Sequence, residues 1–187
     1  MSTPSEQEIN EIVRKVIASL PQATVASPAL SHEKTVAIGA DHGGFPLKET
    51  LKPYLSELGY TVIDCGTNST AAVDYPDLAR AVAELVASGK AFRGVMIDGA
   101  GIGSCMTANK VPGVRASMCY DLSTAANARE HNNANLLTLG AGLIGESLAK
   151  QILKTWLSTE FGGGRHAKRV DKIMEVEKIY MKEGRSS

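Results

Sequence analysis

Cysteine is scarce in this chain of 187 residues, and the three that occur are Cys65, Cys105 and Cys119. They are odd in number, show no CxxC spacing and follow no segment with the pattern of a secretory signal. Their number and spacing argue against a disulfide framework, so we expect a reducing, cytoplasmic environment in which each thiol is a small buried hydrophobe.

Net charge is also absent, because 20 basic and 20 acidic residues cancel. This balance argues against nucleic acid or a membrane surface as the main partner. Long apolar runs are missing too, since none approaches the roughly 20 residues that span a bilayer. These absences predict a soluble protein with a small ligand, and the length suits one domain with a short appendage.

The appendage is predicted at the N-terminus, where residues 1–20 have the pattern of an amphipathic helix. Ser5 and Glu8 form a capping box, and Pro21 ends the helix. Residues 21–33 are rich in Pro, Ala and Ser and predict a linker, which leaves residues 34–187 as the main domain. The apolar stripe of the predicted helix consists of Ile9, Ile12, Val13, Val16, Ile17 and Leu20.

The main domain alternates short β-rich runs with helical stretches. This order predicts an α/β fold, a Rossmann-like three-layer sandwich with a five-stranded parallel sheet. A C-terminal helix follows the glycine run at 162–164, and its apolar positions need a further surface on its own domain or on a partner subunit. The predicted strands are TVAIGA from residue 35, YTVID from 60, RGVMID from 93, VRASMC from 114 and NLLTLG from 135. The predicted helices begin near Gly44, Asp74, Gly103, Asp121 and Ile144.

Ligands of parallel sheets bind at the carboxyl ends of the strands. That rule selects Asp41 and His42 after the first strand, the DGAGIG turn at 98–103 after the third, and Tyr120 and Asp121 after the fourth. The glycine-rich turn suits a phosphate or a developing oxyanion, or it is only a tight connection. It lacks the Gly-Lys-Ser/Thr sequence of a nucleoside triphosphate loop.

Histidines and arginines supply the other candidate side chains. His42 and His131 lie among polar residues, which favours proton transfer or phosphate contact over a structural role. Arg165 and Arg169 share one face of the final helix, beside His166. They form either a solvated basic face or a clamp for a phosphoryl group.

Six further segments match one family in the same order. They are ADHGGFPLK at 40–48, DCGT at 64–67, VDYPDLA at 73–79, GAGIGSCMTANKVPGVRA at 99–116, AREHNNANLLTLGA at 128–141 and GGRHAKRV at 163–170. Through them the chain, from Lys34 to about Ile179, resembles the type B ribose-5-phosphate isomerases and the related galactose-6-phosphate isomerase subunits.

The resemblance implies an aldose–ketose isomerase of carbohydrate metabolism that acts on a phosphorylated sugar through a cis-enediolate. The implied pair is ribose 5-phosphate and ribulose 5-phosphate, as in the pentose phosphate reactions. No metal and no cofactor are implied. The implied assembly is a homodimer, alone or as a dimer of dimers, whose two subunits share each site.

The resemblance also assigns roles to residues at matching positions. His131 would help to open the furanose ring, Asp41 would hold sugar hydroxyls, and Tyr75 and Asn132 would line the pocket. The enediolate oxygen would be stabilised by the amides of the glycine turn, which are those of Gly99, Ala100, Gly101 and Gly103. The phosphate would be bound by His42, Arg165 and Arg169, some of them from the neighbouring subunit.

One departure concerns the base. The family's Cys-Gly-Thr-Gly is replaced by a sequence that starts at Asp98, and the position where some relatives carry a glutamate is Ser104. Two candidates for the base remain. Asp98 stands in the place of the thiol, and Cys105 lies one residue into the following helix. Asp98 is favoured because it lies at the strand end, and the alternative is that its carboxylate only satisfies loop amides.

Alternatives therefore stay open. The chain is either an isomerase, for ribose 5-phosphate or another tetrose, pentose or hexose phosphate, or a sugar-phosphate-binding protein that has lost catalysis. The segment at 1–20 resembles the encapsulation peptides of bacterial microcompartments, which implies a shell protein as a partner for residues 5–20. The competing interpretation is a helix that packs back onto its own dimer.

Overall fold

A computed structural model describes residues 34–183 of the chain. The predicted helix at 1–20 and the linker at 21–33 lie outside the described residues. The strands are β1 (Thr35–Ala40), β2 (Thr61–Asp64), β3 (Arg93–Asp98), β4 (Ala116–Met118) and β5 (Leu136–Gly140). The helices are α1 (Phe45–Glu57), α2 (Tyr75–Ala87), α3 (Ile102–Ala108), α4 (Leu122–Glu130), α5 (Glu146–Ser158) and α6 (Arg165–Glu183).

All five strands pair in parallel, in the order β2-β1-β3-β5-β4. Each strand is followed by a helix that returns the chain to the amino edge of the sheet, so helices cover both faces. The prediction of a Rossmann-like three-layer sandwich with a five-stranded parallel sheet is confirmed.

Side chains of the central strands alternate between two cores, as the two-residue period of a strand requires. Val95 and Ile97 of β3 pack with α1, α4 and α5 around the fully buried Trp156. Met96, between them, points to the other face and packs against α2. The central strands are therefore almost wholly apolar, and polar side chains appear where they end.

The order of the strands creates a switch point between β1 and β3. The chain leaves β1 for β2 on one side and returns to β3 on the other, so the loops after β1 and β3 diverge and leave a crevice. The two loops meet at this point, because the Asp41 amide donates to the Ile97 carbonyl at 3.1 Å. Asp41 and Asp98 therefore lie side by side at the carboxyl edge.

The outer strand β4 is shorter than the predicted run of residues 114–119. Its free side is covered by Asn109, whose amide group donates to the Ala116 carbonyl at 2.9 Å and accepts from the Ala116 amide at 2.9 Å. The Arg115 amide is bound by the Asn135 side chain at 2.7 Å. The Arg115 contact lies on the side of β4 that pairs with β5, so the Asn109 side chain alone takes the place of a sixth strand at the free edge.

Helix α6 follows the glycine run and packs loosely along the β4 side of the domain. Glu177 accepts from the Gly113 amide at 3.0 Å, and Arg115 Nη1 contacts Met174 Sδ at 3.4 Å. No helix within residues 34–183 is both long and apolar enough to cross a bilayer. Large apolar side chains on α6 stay exposed, namely Ile173, Val176, Ile179, Tyr180 and Met181.

Candidate active site

The glycine turn after β3 is built around the carboxylate of Asp98. Oδ1 accepts from the amide of Ala100 at 2.8 Å and from that of Gly101. Oδ2 accepts from the amide of Ser104 at 3.0 Å and from its hydroxyl at 2.5 Å. The side chain of Asp98 is only 4% exposed. Asp98 is thus both a buried anion at a strand end and the internal support of the turn.

Three amides of the turn are left over by this arrangement. Within residues 34–183, the N–H groups of Gly99, Ile102 and Gly103 have no acceptor, whereas those of Ala100 and Gly101 are bound to Asp98. The predicted oxyanion contacts of Ala100 and Gly101 would therefore compete with Asp98. Gly99 and Gly103 stay available for an anion.

Asp41 lies directly beside this turn and is 8% exposed. Its Oδ1 accepts from the Gly44 amide at 2.8 Å, which fixes the loop that starts α1. The neighbouring His42 is exposed and accepts from the Val73 amide through Nδ1 at 3.3 Å. The two side chains thus flank the carboxyl edge of β1 as predicted.

The DCGT turn holds the end of β1 in place. The Ala40 amide donates to the Gly66 carbonyl at 2.8 Å, and the Thr67 amide donates to the Ala40 carbonyl at 2.7 Å. Asp64 is held by the buried Lys48, with Nζ at 2.6 Å from Oδ1, and by Lys52 at 2.7 Å from Oδ2. Although partial burial acts to raise it, the hydrogen bonds from Lys48 and Lys52 lower the pKa of Asp64 from 3.8 to about 2.

Tyr75 is the first residue of α2 and covers the start of α3. A Cβ built on Gly103 would lie 2.5 Å from Tyr75 Cζ, so a larger residue at this position would displace the ring. The Tyr75 side chain is 38% exposed, which leaves part of it facing the crevice. Tyr75, Asp41, His42 and the glycine turn therefore form one group, here called the carboxyl-edge cluster.

The remaining predicted residues form a second group. His131 ends α4, and its ring stacks on His166 with centroids 4.2 Å apart and planes 4° from parallel. Asn127 Nδ2 lies 2.8 Å from His131 Nδ1. His166 also accepts from Arg165 Nε at 3.4 Å. This second group, here called the amino-edge cluster, consists of Asn127, His131, Asn132, Arg165, His166 and Arg169.

The two clusters lie at opposite edges of the same sheet. Helix α4 starts at the carboxyl end of β4 and runs back, so His131 lies where the chain enters β5. The nearby Asn135 carbonyl accepts from the Gly94 amide at the start of β3, at 3.0 Å. The six residues of β3 separate its ends by roughly 17 Å at 3.3 Å per residue. A single chain therefore does not bring His131 to Asp98.

Cys105, the second candidate for the base, points away from the carboxyl-edge cluster. Its Sγ is 3.5 Å from the Ala116 carbonyl of β4 and 3.6 Å from Asn109 Nδ2. Burial and the nearby Asp64 raise the pKa of Cys65 to about 11, and burial raises the pKa of Cys119. Neither Cys65 nor Cys119 is a thiolate near neutral pH.

Two side chains, Asn127 and Ser104, contact candidate site residues in ways that the sequence did not suggest. Asn127 lies one turn before His131 on α4, and the spacing of four residues was the available signal. Ser104, considered only as a failed base, binds Asp98 with both amide and hydroxyl. Among residues 34–183, no group of three or more His, Cys, Asp or Glu side chains is arranged to hold a metal ion.

A groove separate from the carboxyl-edge cluster lies beside α6. It measures about 760 Å³ and runs between α6 and the edge of β4. Its walls are mainly apolar, with Asn132 of the amino-edge cluster among the lining residues. The groove is therefore a mainly apolar surface beside α6, whereas most of the candidate polar side chains lie in the two clusters.

Comparisons with known proteins agree with the composition of the two clusters. Residues 36–173 match the ribose/galactose isomerase family. Ribose-5-phosphate isomerase B of Escherichia coli is 42% identical over 144 residues, covering 77% of this chain and 97% of that protein. D-erythrulose-4-phosphate isomerase of Pectobacterium atrosepticum is 45% identical over 140 residues, covering 74% and 92%.

Solved structures share the fold as well. Ribose-5-phosphate isomerase B of Clostridium thermocellum superposes with a TM-score of 0.77 at 51% identity, covering 78% of this chain and 99% of that one. The family match over most of the domain and these sequence identities support the same family assignment. The chain belongs to the ribose/galactose isomerase family and is an aldose–ketose isomerase of the sugar phosphate type.

Proposed function

We propose that this chain interconverts ribose 5-phosphate and ribulose 5-phosphate in a site shared by two copies of the chain. The observation that carries the proposal is the separation of the two clusters, because neither holds a complete set of groups. In a two-fold dimer, the carboxyl-edge cluster of one copy can face the amino-edge cluster of the other, and the reverse contact forms a second site.

The surface beside α6 supports a second copy. Exposed apolar side chains line the groove between this helix and β4, and Asn132 of the amino-edge cluster lies in the same groove. A homodimer that covers this surface buries apolar area and brings the amino-edge cluster to a subunit boundary. Pairing of two such dimers into a tetramer is compatible with the same site.

Each group has a task in the proposed reaction. The phosphate is bound by His42 of one copy and by Arg165 and Arg169 of the other, and Asp41 holds hydroxyls beside Tyr75 and Asn132. His131 supplies the proton that opens the furanose ring. The free amides of Gly99 and Gly103 stabilise the negative oxygen of the enediolate.

We propose Asp98 as the group that moves the carbon-bound proton. The proton on C2 passes to Oδ2, and the electron pair of the broken C–H bond forms the C1=C2 bond of the enediolate, with the negative charge on O1. The hydroxyl proton of O2 passes to O1, and Oδ2 delivers a proton, partly exchanged with water, to C1 as the C2 carbonyl forms. The Ser104 hydroxyl makes this exchange feasible because it can both donate and accept. It donates to the carboxylate and turns to accept from the protonated acid. Cys105 fits the task less well, since its Sγ faces β4.

Two relatives suggest different sugar substrates for this chain. The E. coli ribose-5-phosphate enzyme and the P. atrosepticum erythrulose-4-phosphate enzyme have nearly the same identity to this chain, 42% and 45%. A panel of four- to six-carbon sugar phosphates decides the substrate by kcat/KM. We expect the highest kcat/KM with ribose 5-phosphate. A higher kcat/KM with a tetrose 4-phosphate would make the tetrose phosphate the preferred substrate instead.

Within this isomerase family, binding of a sugar phosphate without turnover is the competing outcome, and the four hydrogen bonds that occupy Asp98 are the observation that favours it. Exchange of the C2 proton in deuterated water separates the two functions. An isomerase incorporates deuterium, and a binder does not. Asp98→Asn should abolish exchange, whereas Cys105→Ala should retain it. Loss of exchange in Cys105→Ala alone would move the base to that thiol.

The pattern of residues 5–20 supports a further proposal, that this segment targets the cytoplasmic enzyme to a bacterial microcompartment by binding a shell protein. An amphipathic helix on a linker suits a hydrophobic groove of a partner. Deletion of residues 1–30 should abolish co-purification with co-expressed shell proteins and leave kcat/KM unchanged. Unchanged co-purification would reject targeting.

A further inference from the structure

The directions of the hydrogen bonds that Asn127 and Asn132 make near His131 follow from one unambiguous contact. Asn132 Nδ2 lies 3.3 Å from the backbone carbonyl of Asn127. A carbonyl oxygen only accepts, so the atom of Asn132 that faces it is the NH₂ nitrogen. The same nitrogen lies 3.4 Å from the side chain of Asn127, and the atom it meets there is Oδ1.

The assignment of Asn127 then determines that of His131. With Oδ1 turned to Asn132, the NH₂ group of Asn127 faces His131 Nδ1 at 2.8 Å. An NH₂ group only donates, so Nδ1 accepts and carries no proton when the ring is neutral. The proton of the neutral imidazole is therefore on Nε2.

The plane of the His131 ring is fixed by a separate contact. His166 stacks face to face at 4.2 Å and is 9% exposed. Burial, with further contributions from His131, Arg165 and Arg169, lowers the pKa of His166. His166 is therefore a neutral plate under His131. Glu130 Oε1 lies 3.8 Å from Nε2.

We propose that Asn127 is a positioning residue that holds His131 in the tautomer protonated on Nε2, so that this nitrogen is the acid that opens a cyclic sugar phosphate. The inference rests on the proposed function. In the step, Nε2 gives its proton to the ring oxygen as the bond from that oxygen to C1 breaks. In the same step the C1 hydroxyl loses its proton to a water molecule as the carbonyl forms, and that water returns a proton to Nε2, so no imidazolate is left.

The chemistry of the substrates separates this role from a general structural one. A pentose 5-phosphate aldose closes a furanose ring through its free 4-hydroxyl and must be opened. A tetrose 4-phosphate carries phosphate on that oxygen and cannot form the five-membered ring. Asn127 should therefore matter for the pentose and not for the tetrose.

The test compares Asn127→Asp with Ser123→Ala, an exposed position on the same helix. A carboxylate accepts from Nδ1–H, so the aspartate reverses the tautomer and leaves Nε2 without its proton. We expect kcat/KM for ribose 5-phosphate to fall about 10²-fold. The value for erythrulose 4-phosphate should fall much less, because only the added charge near the phosphate affects it, and both values for Ser123→Ala should stay unchanged. An equal fall for both sugars in Asn127→Asp would overturn the inference.

Nitrogen-15 NMR of the imidazole gives a readout that is independent of turnover. The neutral His131 of the unaltered protein should show an unprotonated Nδ1, and Asn127→Asp should show a protonated one. A protonated Nδ1 in the unaltered protein would overturn the inference whatever the activity. If neither sugar is turned over, the proposed function fails, and the NMR result still decides the tautomer.

Discussion

The carboxyl-edge and amino-edge clusters are built by different means. At the carboxyl edge, Asp98 is buried and its four hydrogen-bond donors lie within six residues of it. At the amino edge, Asn127 and Arg165 are exposed side chains whose contacts lie on the surface. One chain therefore completes its charge-stabilising turn by itself, whereas the groups proposed to grip and open the sugar face outwards. The difference teaches how the proposed function would divide the work: stabilisation of the intermediate would be preorganised within one chain, and capture of the substrate would depend on assembly of two chains.

Subunit mixing tests this division most strongly. Asp41→Ala and His131→Ala should each be nearly inactive as homodimers. Random reassociation of the two should restore about a quarter of the unaltered activity, because half of the dimers are mixed and each mixed dimer holds one intact site. The measurement is isomerase activity after joint unfolding and refolding.

The matched control mixes two variants of one cluster, Asp41→Ala and Asp98→Asn. Each site of such a mixed dimer still carries one of the defects, so no activity should return. Recovery in this control, or none in the first mixture, would contradict a site divided between the clusters.

Removal of the Asp98 charge should affect both catalysis and folding. Asp98→Asn replaces one carboxylate oxygen by an NH₂ group, which faces backbone amides that are donors themselves. We expect a loss of about 3 kcal/mol in the free energy of unfolding. The rate should fall by about 10²- to 10⁴-fold. Urea unfolding and steady-state kinetics measure the two effects.

Ser104→Ala serves as the matched control for Asp98→Asn. It keeps the carboxylate and the Ser104 amide contact and removes only the hydroxyl, so it should cost about 1 kcal/mol of unfolding free energy. Equal destabilisation by the two variants would mean that the hydroxyl, and not the charge, supports the turn.

A smaller effect is expected where Tyr75 covers Gly103. Gly103→Ala puts a methyl group 2.5 Å from Tyr75 Cζ, and the half-exposed ring must move aside. We expect destabilisation of about 1 kcal/mol from overpacking. Thermal unfolding of the double variant with Tyr75→Ala should show that the added methyl group no longer costs stability. A cost that persists without the ring would place the conflict elsewhere.

The smallest effect concerns the acid limb of stability. The folded protein holds the pKa of Asp64 at about 2, below its ordinary value of 3.8. The stabilisation from its ion pairs is therefore fully present above pH 3.8 and is lost as the pH falls toward 2. Asp64→Asn should flatten the dependence of Tm on pH in that window. An unchanged slope would show that Lys48 and Lys52 do not hold the carboxylate.

Much of this fold followed from simple patterns in the sequence. The buried strands β1 and β3 were predicted with the bounds that the structure has, because a strand covered on both faces is a continuous apolar run. The run at 114–119 yielded only the three residues of β4, because side chains of Asn109 and Asn135 pair with its backbone. Propensity does not report such side-chain pairing.

The site was predictable residue by residue but not as an arrangement. Asp41 and Asp98 were correctly placed together, since both follow strands that end at one edge. The position of His131 at the opposite edge depends on the direction of α4. The link from Asn132 through Asn127 to His131 depends on rotamers, which no spacing rule specifies. The family resemblance implied a site shared by two subunits. The fold gives a geometric reason for that proposal, because the two clusters lie at opposite edges of the sheet.

The four glycines around the turn differ in their freedom to mutate, which matters for directed evolution of substrate preference. Gly101 has a φ of +77°, Gly103 lies under an aromatic ring, and a Cβ on Gly140 would come within 2.6 Å of the Ala100 carbonyl. Gly99 alone has open space around its Cβ direction and a backbone outside the left-handed region. A mutant library that varies position 99 and holds the other three as glycine would alter the volume offered to the sugar while the turn that carries the negative charge stays intact.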